Sequence, residues 1–118
     1  MVSFTKVIGG TFLSRHKHLA PVHGFVIKGS CRYLEHDCVA KKGSYLFEPP
    51  GEIHTLVFDE DCDEMITLFH NSGALIYCDR DGNMVGTTDV SDRIEAAKKH
   101  FLEVGLGEEY LTNSLSSF

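Results

Sequence analysis

Two histidines one residue apart, His16 and His18, sit in a run that reads as a strand. Successive strand side chains point to opposite faces, so both imidazoles project from the same face as a two-point grip for a metal ion. A third imidazole on a separate strand, His54, would complete a face of three nitrogens. The opposite side of an octahedral ion would then stay open to substrate and oxygen. His54 follows Pro49-Pro50-Gly51, a stop signal for the strand before it, because proline donates nothing to a ladder and fixes its own torsion.

The rest of the chain reads as short strands with turn signals between them, the pattern of a β-barrel or sandwich. Strands are predicted at 4–8, 11–17, 23–28, 31–35, 38–41, 45–48, 53–58, 65–70, 74–78 and 84–85. Gly9-Gly10 is expected to end the first, and Asp81-Gly82 gives a hairpin signal. One helix follows: Val90, Ile94, Ala97, Phe101 and Val104 recur on one stripe, with Asp89 as N-cap and Gly105 as the stop. The stripe is expected to pack as core against the outside of the sheet, a dimer contact being the alternative. Residues 1–88 are read as the barrel and 89–118 as a helix and tail of the same domain.

With 118 residues the chain can bury one core and has no room for a second domain. No stretch is long and apolar enough to cross a bilayer, and Met1-Val2-Ser3-Phe4-Thr5-Lys6 lacks the apolar core of a signal peptide. A soluble, cytoplasmic protein is expected. The formal net charge of −6, with no clustered basic surface, argues against nucleic acid as a partner.

Spacing sharpens the histidine reading. Gly43, five residues, Pro49, one residue, Gly51, two residues and His54 closely follow the second motif of the cupin superfamily, and Gly10, five residues, His16-x-His18 and a strand closing at Gly29 resemble the first. The resemblance implies an all-β cupin fold, the double-stranded β-helix or jelly-roll barrel, with the C-terminal helix packed outside.

A narrower resemblance runs through His16-Lys17-His18, Pro21-Val22-His23, Tyr33-Leu34-Glu35-His36-Asp37, Gly43-Ser44-Tyr45 and Glu48-Pro49-Pro50-Gly51-Glu52-Ile53-His54-Thr55-Leu56. It continues through Ser72-Gly73-Ala74-Leu75-Ile76-Tyr77, Asp81-Gly82-Asn83 and Val104-Gly105-Leu106-Gly107. These segments look like 2,4'-dihydroxyacetophenone dioxygenase and its relatives, which are similar to acetylacetone-cleaving cupins in holding non-haem Fe(II) with three histidines. The resemblance implies that His16, His18 and His54 ligate Fe(II), with zinc, nickel or manganese as alternatives, and that Glu48 is a carboxylate beside the metal or in catalysis. The implied partners are a small-molecule substrate and O2, and the implied assembly is a homodimer. The chain departs from these relatives at Cys31 and Cys38, where they commonly carry Trp.

Cupins usually place a Glu ligand after the second histidine, and here the polar candidate is His23. It is read either as a fourth ligand or as a group that hydrogen-bonds substrate or orients another ligand, with strand alternation able to turn it away. Glu48 or His23 would move the proton in catalysis. Of the remaining histidines, His36 is expected in solvent at a hairpin tip, His70 could face either way, and His100 lies near a helix C-terminus.

The four cysteines form no Cys-x-x-Cys pair and read as reduced small hydrophobes, although Cys31 and Cys38 could face each other across a hairpin. The acidic run Asp59-Glu60-Asp61-Cys62-Asp63-Glu64 lacks EF-hand spacing and reads as a solvated turn. Two other classes fit the same residues: a metal- or small-ligand-binding cupin without catalysis, and a metal-dependent isomerase or lyase.

Overall fold

The computed structural model describes residues 2–7, 12–59 and 61–114. Ile8, Gly9, Gly10, Thr11 and Glu60, which carry the expected end of the first strand, the start of the first motif and part of the acidic run, lie outside the described residues. So does the end of the tail, 115–118. The chain divides into two compact units, Met1–Thr87 and Thr88–Phe118.

The first unit is built from two sheets. The four-stranded sheet has the order β1 (Val2–Val7), β8 (Met65–Asn71), β3 (Val22–Lys28), β6 (Tyr45–Glu48). The six-stranded sheet has the order β10 (Met84–Thr88), β9 (Leu75–Cys78), β2 (Phe12–His18), β7 (His54–Val57), β4 (Ser30–Tyr33), β5 (Val39–Lys41). The expected all-β architecture is therefore present.

Strand alternation places the core between the sheets. On β3, Val22 and Val26 are buried while Phe25 and Ile27 face outward; on β6, Leu46 and Glu48 are buried while Tyr45 and Phe47 face outward. Val22, Val26, Leu46, Met65 and Phe69 from the four-stranded sheet meet Cys31, Tyr33, Ala40 and Leu56 from the six-stranded one. Such layered burial is what holds a sandwich together.

Two glycines set the frame around the site. Gly29, at φ +74, makes the break between β3 and β4, and a Cβ there would lie 2.4 Å from the Glu64 carbonyl and 2.5 Å from Cys62 Sγ. Gly51, at φ +81, completes the turn after Pro49-Pro50, and its N–H donates to the His18 carbonyl at 2.8 Å. That bond fastens the turn after Glu48 to the end of the strand that carries two of the histidines.

Cys31 pairs in register with Ala40, not Cys38, and all four cysteines are free thiols. Cys31 is buried; burial first, and then the Glu48 charge, push its thiol up to about 12, so it stays protonated and inert.

In the second unit, α1 (Val90–Glu103) begins at the expected N-cap. Asp89 accepts from the N–H groups of Ser91 and Asp92, and the Asp92 side chain answers the Asp89 N–H, which completes a capping box. Gly105 follows the helix end at φ +82. Within this unit Phe101 packs edge-on against Tyr110 of α2 (Glu108–Ser114). No helix among the described residues is long and apolar enough to cross a membrane.

Candidate metal centre

His16 and His18 come from β2 and His54 from β7. The backbone pairs His16 directly opposite His54, and the β2–β7 ladder shifts register between Leu13 and His16. Irregularities of this kind re-aim side chains next to functional sites. The fourth member, Glu48, is the last residue of β6 in the opposite sheet, so the cluster bridges the two layers.

One ligand atom each from His16, His18, Glu48 and His54 falls within 4.8 Å of the others, and all four residues are buried. The three rings form a compact triangle with centroid separations of 5.0 Å (His16–His18), 4.7 Å (His16–His54) and 5.5 Å (His18–His54).

Hydrogen bonding fixes the roles of the atoms. His16 Nδ1 lies 2.6 Å from the Ser14 carbonyl. A carbonyl only accepts, so Nδ1 carries the proton and Nε2 keeps its lone pair. Glu48 Oε2 lies 3.0 Å from His18 Nε2 and 3.2 Å from His54 Nε2, the latter without hydrogen-bond alignment. The other carboxylate oxygen, Oε1, accepts from the Tyr33 hydroxyl.

Burial alone would raise the Glu48 carboxyl, but the hydrogen bond from His18, the adjacent His54 imidazole and the Tyr33 bond outweigh it and hold the group well below the usual carboxylate range. His16 is lowered from 6.5, chiefly by burial, which the Ser14 bond opposes and the neighbouring His54 and His18 reinforce. Burial, then the Glu48 charge, keeps the Tyr33 hydroxyl far above its ordinary value, so it remains a donor.

These residues fit a divalent metal. His18 Nδ1 and His54 Nε2 are buried with no hydrogen-bond partner, an arrangement that costs free energy unless something else satisfies the nitrogens. Three imidazoles and one carboxylate, with no thiolate, form a donor set suited to iron, manganese, nickel or zinc. The carboxylate also supplies a buried negative charge for a cation to neutralise.

The sequence-predicted residues separate into two places. His16, His18, His54 and Glu48 come together. His23 does not: it lies on the outward side of β3, where its Nδ1 pairs with the Tyr45 hydroxyl and its ring packs near Phe47 and His70. Strand alternation accounts for this placement, since the inward positions of β3 are Val22, Gly24 and Val26. His23 is thus not among the clustered side chains.

Two side chains that the sequence did not single out support the centre. Tyr33 holds Glu48. Glu35 accepts from the Thr55 N–H at 2.8 Å and from the Thr55 hydroxyl at 3.0 Å, bracing β7 immediately after His54. Nothing in local spacing ties residue 33 to 48 or 35 to 55, because both contacts are made only when the sheets assemble.

The family model of the ChrR cupin-like domain matches residues 1–76. No curated protein matches the chain. Among solved structures, an RmlC-like cupin protein from Ralstonia eutropha JMP134 is similar with a TM-score of 0.84 and 26% identity, over 89% of this chain and 68% of that one. A second protein with a cupin-like fold from the same organism gives 0.84 and 27%, over 89% and 66%. An acetylacetone dioxygenase from Acinetobacter johnsonii gives 0.73 and 21%, over 80% and 65%, a likeness of fold. The chain thus spans about two thirds of the length of these structures.

Proposed function

The chain belongs to the ChrR cupin-like domain family, and from that premise we propose that it is an Fe(II)-dependent dioxygenase that cleaves a carbon–carbon bond next to a carbonyl in a small α-hydroxyketone or diketone. The observation that carries this reading is the buried cluster of His16, His18, His54 and Glu48. When bound, the iron would supply Lewis acidity toward the substrate oxygens and electrons for O2.

The chain's own residues do the rest. His16 keeps one nitrogen free by donating the other's proton to Ser14. Glu48, buried yet ionised, turns Oε2 toward the imidazoles, where it would join them in holding the ion. For an α-hydroxyketone the bond between the two oxygenated carbons breaks, both atoms of O2 enter the products, and two carboxylic acids result. The likeness of fold to an acetylacetone dioxygenase supports the reaction class only as analogy.

A second reading rests on Glu48 itself. Four protein donors suit a closed binding site that takes zinc and turns nothing over, whereas catalytic sites keep a position open. Oxygen uptake by the Fe(II)-loaded chain, against aryl α-hydroxyketones and β-diketones, separates the two. Uptake that His16→Ala abolishes supports the dioxygenase; stoichiometric metal with no uptake supports the binding module. The homodimer expectation belongs to the same proposal, supported by Phe25, Tyr45 and Phe47, each about half exposed on the outer face of the four-stranded sheet. Sedimentation at equilibrium checks it.

A further inference from the structure

Glu48 has two oxygens, and the fold treats them differently. Oε2 faces His18 and His54, while Oε1 accepts from the Tyr33 hydroxyl. Both side chains are buried, so no solvent competes for the bond. The direction of donation is fixed, because an ionised carboxylate only accepts.

Tyr33 is itself held from several sides. Its ring packs edge-on against His54 at a centroid distance of 5.2 Å, and His36 meets it at 6.2 Å. His36 pairs with Glu52, on the turn that leads into His54. A line of contacts therefore runs from that turn through His36 and Tyr33 to the carboxylate.

We infer that Tyr33 is the positioning residue of the metal centre: by occupying Oε1 of Glu48, it leaves Oε2 alone to engage an ion held by the three imidazoles. This rests on the metal reading of the site. A carboxylate free of such a donor can offer both oxygens to one ion. That second oxygen would fill a position otherwise left for a substrate or solvent ligand, so Tyr33 sets how open the centre is without touching the ion.

The test uses Co(II), whose visible absorption weakens as its coordination number rises, bound to the whole chain. Tyr33→Phe keeps the ring beside His54 and removes only the donor. The variant is expected to keep its circular dichroism, bind one Co(II) per chain, show weaker visible absorption and change Kd by about tenfold. In a Glu48→Gln background, Tyr33→Phe is expected to change the spectrum no further.

A Tyr33→Phe spectrum and Kd equal to those of the unaltered chain would overturn the positioning role alone. The same conclusion follows if the Phe change has an equal effect with and without the carboxylate, since that marks a packing role. Glu48→Gln, read by itself, serves if the Phe variant does not fold: a spectrum identical to the unaltered one removes the carboxylate from the ion and Tyr33's role with it. If the unaltered chain takes up no Co(II), the metal reading itself fails.

Discussion

Glu48 Oε2 lies 3.0 Å from His18 Nε2, and both side chains are about 6% exposed, so a carboxylate from one sheet meets an imidazole from the other in the absence of bulk water. The contact is made possible by the Pro49-Pro50-Gly51 turn, whose Gly51 N–H is bonded to the His18 carbonyl. Removing the charge while keeping the shape tests what the carboxylate does. Glu48→Gln is expected to weaken divalent-ion affinity by roughly 10–100-fold, measured by calorimetry. An unchanged Kd would take Glu48 out of the centre.

His23 gives the opposite expectation. It lies on the outer face of β3 against Tyr45, away from the cluster. His23→Ala should leave metal stoichiometry and Kd unchanged within about twofold, an expectation set by its lack of any contact with the four donors. A loss of metal on this substitution would mean that the strand sits in a different register in solution.

The ion-free chain should lose stability on acidification. His16 is lowered from 6.5, so below that value the unfolded chain takes up a proton that the folded chain refuses, and stability falls with pH. Glu48 is lowered from 4.5 and adds a further loss below that value. Urea unfolding between pH 8 and pH 4 checks this. His16→Gln should flatten the decline just below pH 6.5, and stability that rises on acidification through that window would contradict the His16 assignment.

Gly29→Ala should be strongly destabilising. The left-handed conformation alone costs about 1–2 kcal/mol for a residue with a Cβ. The new atom would also meet the Glu64 carbonyl at 2.4 Å, which is backbone and cannot swing aside. Denaturant titration reads the loss, and an unaffected midpoint would show that the β3–β4 connection relaxes freely.

What the sequence revealed and what it hid follow from the range of the interactions. The period of two put His16 and His18 on one face, and the Pro-Pro-Gly stop placed His54 at the start of a strand; both are local rules. The N-cap at Asp89 was legible for the same reason. The Tyr33 bond to Glu48 and the Glu35 bonds to Thr55 join residues far apart in the chain, and no local pattern encodes them. The α1 stripe was legible in the same way: its period predicted a helix, and α1 runs over Val90–Glu103. His23 sat near the first motif in sequence but on the wrong parity for the cluster, one residue from the inward-facing Val22.

The central claim is that one metal ion is held by His16, His18, His54 and Glu48. Metal analysis with calorimetry, on the Fe(II)-reconstituted chain and on folded His16→Ala and His54→Ala, tests it most directly. The account predicts one ion per unaltered chain and little or none in either variant. A chain that stays metal-free on reconstitution, or variants that bind as tightly as the unaltered protein, would contradict it.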